Sequence, residues 1–193
     1  MRSAAMRRRI MFVKKAVLAL LLSLAAGPSL GQEPLSSYTD LDLTQCTVIE
    51  SDDFNSVWAC SGLKGLPVMV RQSELRMHVS FGLTSTTEKA ADQTIPPPNA
   101  LAPAIEWRVS NDEGHFKPFA AIVGYSFKRE GEDEPGQVLA VIKIAPGATC
   151  QVAFIDMKAE PDAAELARQT ADETARAFDC ADEPKPVGTF NAF

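Results

Sequence analysis

Four cysteines constrain this chain more than any other feature, because all of them lie downstream of a basic and then apolar N-terminus. They are Cys46, Cys60, Cys150 and Cys180, in a chain of 193 residues. A chain that leaves the cytoplasm meets oxidising conditions, under which paired cysteines form disulfides. We therefore predict an exported protein that two disulfides hold together.

The first 31 residues are typical of a cleavable signal peptide. Residues 1–15 carry six basic side chains and no acid, and the apolar run AVLALLLSLAA follows at 16–26. That run is far shorter than the roughly 20 residues of a membrane-spanning helix. The small residues Ser29 and Gly31 predict cleavage after Gly31, which gives a periplasmic or secreted protein. The general secretory route is the default, and the arginine run at 7–9 leaves twin-arginine export open.

Cleavage would leave one acidic domain. Residues 32–193 number 162 and contain 13 basic and 25 acidic residues, a formal charge of −12, against −6 for the whole chain. This length suits one domain with a substantial core. The charge repels nucleic acid and anionic lipid and attracts cationic partners, although it also serves solubility alone. We expect no nucleic-acid partner and no membrane span after cleavage, and we keep a cationic protein as a candidate partner.

The hydrophobic pattern predicts an α+β fold, in which an antiparallel β meander forms a curved sheet or a partly closed barrel. Successive apolar, alternating segments are separated by turns, which is typical of consecutive antiparallel strands. These segments lie at 46–50, 56–60, 66–70, 75–81, 105–110, 119–128, 138–144 and 150–157. Residues 84–103, with four prolines, are predicted to form a long loop and a possible binding edge.

One amphipathic helix is predicted at 161–178, packed on the sheet. Steps of 100° per residue place an alanine-rich stripe on one face, which includes Thr174 and Ala177, with Leu166 and Phe178 as bulky anchors. The domain is predicted to span 32–180. Residues 181–193 are polar and contain proline, which predicts a frayed tail.

The predicted elements favour the sequential disulfides Cys46–Cys60 and Cys150–Cys180 among three possible pairings. A hairpin that is symmetric about Asp53 places the first pair opposite each other, in a ring worth roughly 3 kcal/mol. The second bridge ties the helix end to the preceding strand, for about 3.5 kcal/mol. The cysteine spacing matches neither a zinc site nor a redox motif, so we expect no metal and no cofactor.

The sequence identifies no catalytic residue. His78 and His115 are the two histidines, and His78 alternates with apolar neighbours, which predicts that it faces solvent beside Arg76 and Ser80. The chain has no Gly-x-Ser-x-Gly elbow. A Ser-x-x-Lys match that begins at Ser61 lies in a turn.

A polar stripe provides the candidate ligand patch. It would consist of Arg76, His78 and Ser80 on one strand, and of Glu106 and Arg108 on another, if the two strands are neighbours. Polar outward faces are usual in antiparallel sheets, so the patch becomes a pocket only if this side faces inward.

Three segments carry a resemblance to other proteins. The run CQVAFIDMKAEPDAAELARQTADETARAFDC, the opening YTDLDLTQCTVIE and the middle EWRVSNDEGHFKPFAAIVGYSF resemble small exported alphaproteobacterial proteins of unassigned function. The resemblance spans most of the mature chain. It implies a shared fold and export, and it implies no activity.

These observations lead to one leading hypothesis and two alternatives. The leading hypothesis is a noncatalytic periplasmic binding or interaction module, with a cationic partner such as a cell-wall hydrolase of the lysozyme type. The first alternative is an envelope hydrolase that uses His78 or His115. The second is an envelope-assembly factor that docks through the predicted loop at 84–103 and the C-terminal tail.

Overall fold

The computed structural model describes residues 33–112, 114–128, 131 and 133–193. The predicted signal peptide and its cleavage point after Gly31 lie outside the described residues. Within this part of the chain, no helix has the length and apolar character needed to cross a membrane.

The described chain is β-rich and forms two open sheets. One sheet has the strand order β1-β6-β7-β8-β9-β10, and the other has the order β2-β3-β4-β5. All neighbouring strands are antiparallel except the last pair, β9 and β10. The strands are β1 Leu35–Asp40, β2 Thr47–Ser51, β3 Ser56–Ser61, β4 Pro67–Ser73, β5 Arg76–Phe81, β6 Asn99–Asp112, β7 His115–Phe127, β8 Gly136–Lys143, β9 Cys150–Asp156 and β10 Lys185–Pro186.

The two sheets pack face to face around the main core. Val70 and Val79 of the four-stranded sheet are fully buried in the same cluster as Ile105 and Val123 of the six-stranded sheet. Trp107 lies at the centre of β6, and its ring meets that of Phe81 edge-on, with centroids 5.2 Å apart. Because both faces of the six-stranded sheet are buried, β7 is apolar on both sides.

The helix α1, Ala163–Thr170, covers the other face of the six-stranded sheet and continues through a π-helical turn at Ala171–Ala175. Alanines line the buried side, which lets the helix backbone lie close to the sheet. The π turn adds one residue and rotates the packed face. Ala175 is therefore buried, whereas Thr174 and Ala177 are exposed, so their predicted place on the packed face is wrong.

Both predicted disulfides are confirmed. Cys46 and Cys60 are bonded with their Cα atoms 4.5 Å apart, and Cys150 and Cys180 are bonded at 5.7 Å. The hairpin register places Thr47 opposite Ala59. A bulge then follows in β2 between Val48 and Glu50, so that Glu50 pairs with Val57 and the symmetric register breaks down.

The C-terminal tail, which we predicted to be frayed, packs against the domain. Its β10 pairs with β9, and the Val187 amide donates to the Phe154 carbonyl at 2.9 Å. The Phe193 ring meets the rings of Phe127, Phe154 and Phe190 edge-on, at centroid distances of 6.0, 6.1 and 5.1 Å. Aromatic contacts at the end of the chain therefore order residues that look polar and loop-like in the sequence.

The α+β fold class is confirmed, with antiparallel meanders, one C-terminal helix and two disulfides. The strands form two stacked sheets, and the described residues show no closed barrel.

Candidate functional site

The loop predicted at 84–103 spans residues 82–98 in the structure, because β5 ends at Phe81 and β6 begins at Asn99. This segment, here called the proline loop, closes the side of the sandwich between β5 and β9. The loop contains a short 3-10 turn at Lys89–Asp92. The Arg71 side chain donates to the Ala91 carbonyl at 2.7 Å, and the Ala90 amide donates to the Thr149 carbonyl at 3.0 Å. The loop is thus fixed to both sheets. The strand after it begins at Asn99, earlier than predicted, and β6 includes Pro103 where its pairing with β7 shifts register.

A buried carboxylate anchors the proline loop. Glu88 is 4% exposed, and it accepts hydrogen bonds from the Gly147 amide at 2.7 Å and the Thr149 amide at 2.9 Å. The Thr84 hydroxyl donates a third bond at 2.5 Å. Burial alone would raise the pKa of Glu88, but the three hydrogen bonds lower it below its ordinary value. Glu88 therefore links the loop to the β8–β9 turn as an ionised side chain.

His78 lies under the proline loop, so the prediction that it faces solvent is wrong. It is 8% exposed, and Ser80 on the same face is fully buried. Burial lowers the pKa of His78, and the positive charges of Arg71 and Arg76 lower it further. The charge of Asp92 and a hydrogen bond with the Gln93 backbone have smaller opposite effects. Nδ1 of His78 has no hydrogen-bond partner among the described residues. The apolar residues Ala90, Ala91 and Ile95 within the loop are the feature of the sequence that could have predicted that the loop buries His78.

The structure does not assemble the predicted ligand patch. Arg76, His78 and Ser80 belong to β5 of the four-stranded sheet, whereas Glu106 and Arg108 belong to β6 of the other sheet. Arg76 forms an ion pair with Glu74.

Glu106 and Arg108 instead fasten the helix to the sheet. Arg168 Nε donates to Glu106 at 2.7 Å, and Arg108 Nη2 donates to Asp172 at 2.6 Å. Arg108 also donates to the Pro34 carbonyl at 3.0 Å and is nearly buried. These two side chains are therefore occupied by structural contacts.

One depression brings together the proline loop, β9 and the C-terminal tail, and we call it the tail crevice. It is lined by residues 92–96 of the loop, Gln151 and Phe154 of β9, Glu183, Pro184 and Phe193 of the tail, and Arg76 of β5. Its volume is about 440 Å³. The two segments that the sequence suggested as docking segments thus share one site.

Two side-chain amides in the tail crevice have unused donors. The backbone amide of Gln151 donates to Oε1 of Gln93 at 2.8 Å, which fixes the orientation of the Gln93 amide. Nε2 of Gln93 and Nε2 of Gln151 are both shielded from solvent. Neither has a partner at full hydrogen-bond geometry among the described residues, and the Gln151 side chain lies within interaction range of the Tyr125 hydroxyl. Gln151 is 1% exposed. Buried donors without an acceptor cost free energy, so they favour a ligand that accepts from them.

A buried hydroxyl lies next to this pair. Tyr125 is 1% exposed, and burial raises the pKa of its hydroxyl, an effect that the Gln151 side chain offsets only in part. Tyr125 is therefore neutral at physiological pH and retains its O–H donor.

The acids at the crevice rim are paired with bases. Asp92 lies 3.1 Å from Arg71, and Glu183 lies 3.3 Å from Lys89. Such pairs contribute little stability at the surface, but they neutralise the acids that would otherwise repel an anion.

A second depression, the sheet groove, lies on the outer face of the six-stranded sheet beside α1. It measures about 410 Å³ and is lined mainly by apolar side chains such as Leu101, Pro103, Leu139 and Met157. Gly124 is required here, because a Cβ atom on it would lie 2.8 Å from the Cβ of Ala102.

The histidines do not share a site. His78 lies between β5 and the proline loop, whereas His115 is exposed at the start of β7. Among the described residues, neither imidazole is hydrogen-bonded to a serine or a carboxylate side chain, and no cluster of three or more potential metal ligands occurs.

Comparison with protein-family models, curated proteins and solved structures finds no match to this chain.

Proposed function

We propose that the protein is an exported, noncatalytic binding module that holds its ligand in the tail crevice. The observation that carries this proposal is the pair of buried amide donors on Gln93 and Gln151, neither of which forms a hydrogen bond of full geometry among the described residues. The two disulfides are compatible with an oxidising compartment. The basic and apolar residues at 1–31 support export to the periplasm, as does the resemblance to exported alphaproteobacterial proteins.

A disulfide and several hydrogen bonds hold the segments that line the crevice in place. Cys150 is adjacent to Gln151, and its disulfide to Cys180 holds the start of the tail that supplies Pro184 and Phe193. Glu88 and Arg71 hold the loop that supplies Gln93. A site whose supports are fixed in advance loses less conformational entropy on binding.

Backbone amide shifts test this proposal. Two probes of equal shape, 3-phenylpropionate and its neutral amide 3-phenylpropanamide, are titrated into the oxidised protein. We expect at least one of them to shift the backbone amide signals of residues 93–95, Gln151 and Phe193. Shifts confined to Leu101, Gly124 and Leu139 would move the site to the sheet groove and contradict the proposal, as would the absence of shifts with both probes.

A cationic protein, such as a cell-wall hydrolase of the lysozyme type, is the proposed partner class. The formal charge of −12 that cleavage would leave supports this choice. Calorimetry with lysozyme at low and high salt tests it. Binding that weakens as salt rises is expected, and no binding at low salt would remove this partner.

An envelope-assembly factor is the second candidate function, because the proline loop and the tail form one surface. Deletion of residues 187–193 would remove most of the part of this surface that the C-terminal tail provides. This candidate predicts that envelope partners captured by the intact protein are lost on deletion, and an unchanged set would contradict it.

A further inference from the structure

We infer that the tail crevice recognises a carboxylate joined to an apolar or aromatic group. This inference rests on the proposed function and names the chemistry of its ligand. The orientation of the Gln93 side-chain amide is fixed. Because Oε1 of Gln93 already accepts from the Gln151 backbone at 2.8 Å, the unused end of that side chain is Nε2, which only donates.

The second amide presents the same chemistry. Nε2 of Gln151 is also buried and lacks a hydrogen bond of full geometry among the described residues, with the Tyr125 hydroxyl nearby. The backbone bond to Gln93 keeps the two glutamines adjacent. An ionised carboxylate is acceptor-only and offers two oxygens. It therefore complements two neighbouring donor groups, whereas an ammonium or a hydroxyl would bring a further donor.

The acids around the crevice are balanced by neighbouring bases, so they do not exclude an anion. Arg71 lies beside the crevice, where it donates to the Ala91 carbonyl of the proline loop at 2.7 Å and pairs with Asp92 at 3.1 Å. Arg76, which lines the crevice, is paired with Glu74. The rim acids Asp92 and Glu183 are each paired with a base.

The remaining walls suit an apolar group. Ile95 and Phe154 are buried, and the half-exposed Phe193 faces the same space as Pro96 and Pro184. A volume of about 440 Å³ is in the range of small-ligand sites, which combine apolar walls with a few oriented polar groups.

Two sources could supply such a ligand: a small apolar carboxylic acid, or the C-terminal carboxylate of a peptide that ends in an apolar residue. The binding experiment therefore uses two matched pairs of probes. The first pair is 3-phenylpropionate and 3-phenylpropanamide, and the second is Gly-Gly-Phe with a free and with an amidated C-terminus. Affinities are measured by calorimetry on the oxidised protein at pH 7, and the site is located by backbone amide shifts.

We expect a carboxylate probe to bind at the crevice at least tenfold more tightly than its amide. Preference for 3-phenylpropionate assigns the small acid, and preference for the free tripeptide assigns the peptide terminus. If the amides bind at the crevice as tightly as the acids, the carboxylate inference is overturned and the proposed function stands. If neither kind of probe binds there, both are overturned.

Isosteric variants test the donors themselves. Gln151→Glu and Gln93→Glu replace an N–H donor with a carboxylate oxygen, and each is expected to weaken carboxylate binding at least tenfold. Gln45→Glu makes the same chemical change at an exposed site and is expected to leave affinity unchanged. Circular dichroism checks that each variant is folded, and Gln93→Glu, at the less buried position, provides the test if Gln151→Glu fails to fold. Unchanged affinity in folded Gln93→Glu would contradict the inference.

Discussion

Gln93 of the proline loop accepts a hydrogen bond from the backbone amide of Gln151 in β9, at 2.8 Å across 58 residues of chain. This bond joins a loop residue to the buried strand beside it and fixes which end of the Gln93 amide remains unused. The architecture of the tail crevice depends on it.

Replacing Gln93 with alanine should destabilise the protein. The variant leaves the Gln151 backbone amide without its acceptor, and an unsatisfied buried donor costs about 1–3 kcal/mol. Urea unfolding measures the change in the free energy of unfolding. Gln45→Ala removes an exposed amide and should change it by less than about 0.5 kcal/mol. Equal effects of the two substitutions would show that the Gln93 bond is not stabilising.

Glu88→Gln should destabilise the protein most clearly at neutral pH. The variant keeps one carbonyl oxygen but loses the charge and the second acceptor that hold Gly147, Thr149 and Thr84, for a loss of about 1–3 kcal/mol. Urea unfolding of wild type and variant from pH 7 to pH 3 measures it.

The pH dependence at Glu88 has a definite sign. Its folded pKa is below 4.5, the ordinary value of a glutamate side chain. Its ionised form therefore stabilises the fold fully above that pH, and the contribution is lost as pH falls through the folded pKa. The gap between wild type and Glu88→Gln should narrow in acid. The exposed control Glu173→Gln should show no such gap, and a gap of constant size for Glu88→Gln would contradict this account.

His78 should make the protein less stable in mild acid. Its folded pKa is lowered from 6.5, so the neutral imidazole contributes stability that is complete above pH 6.5 and is lost as pH falls through the folded pKa. His78→Gln should therefore flatten the decline in the free energy of unfolding below pH 6.5. His115→Gln, at an exposed position, should leave the decline as in wild type. If the free energy of unfolding of His78→Gln falls below pH 6.5 as steeply as that of wild type, the loss of stability is due to groups other than His78.

The two disulfides should differ in their effect on ligand binding. Either bridge, when replaced by an alanine pair, should cost about 3 kcal/mol or slightly more in stability, because ring length changes the entropy only slowly. The Cys150–Cys180 pair holds the tail beside Gln151, and its loss should weaken 3-phenylpropionate binding. Loss of the Cys46–Cys60 pair, which lies in the distant hairpin, should not.

Calorimetry on the two folded double variants makes this comparison. The hairpin variant is the matched control for a general loss of stability. If the loss of either disulfide weakened 3-phenylpropionate binding equally, the Cys150–Cys180 bridge would have no specific role in the crevice.

The sequence predicts the disulfides and the main elements because these depend on local spacing. A polar turn centred on Asp53 places Cys46 and Cys60 at facing ends of one hairpin, and the alanine stripe of α1 follows helical periodicity. The burial of His78 is not local. It depends on Ala90 and Ala91 of a loop that is distant in the chain. The alternation of residues along β5 cannot predict which segment covers the outer face of that strand.

The candidate site was predicted only in part. The proline loop and the tail were recognised as segments of interest, but Gln151 reads in the sequence as one polar residue in a buried strand. Its bond to Gln93 arises from tertiary contact. The prediction of a frayed tail is wrong because Phe193 packs with three other phenylalanines, and two of them, Phe127 and Phe154, are distant in the chain.

A crystal structure of the oxidised protein with 3-phenylpropionate tests the central claim most directly. The account predicts the carboxylate in the tail crevice, with oxygens about 2.7–3.2 Å from Nε2 of both Gln93 and Gln151, and with the phenyl ring against Phe154 and Phe193. A carboxylate bound in the sheet groove, or a tail crevice that stays empty at saturating ligand, would contradict it.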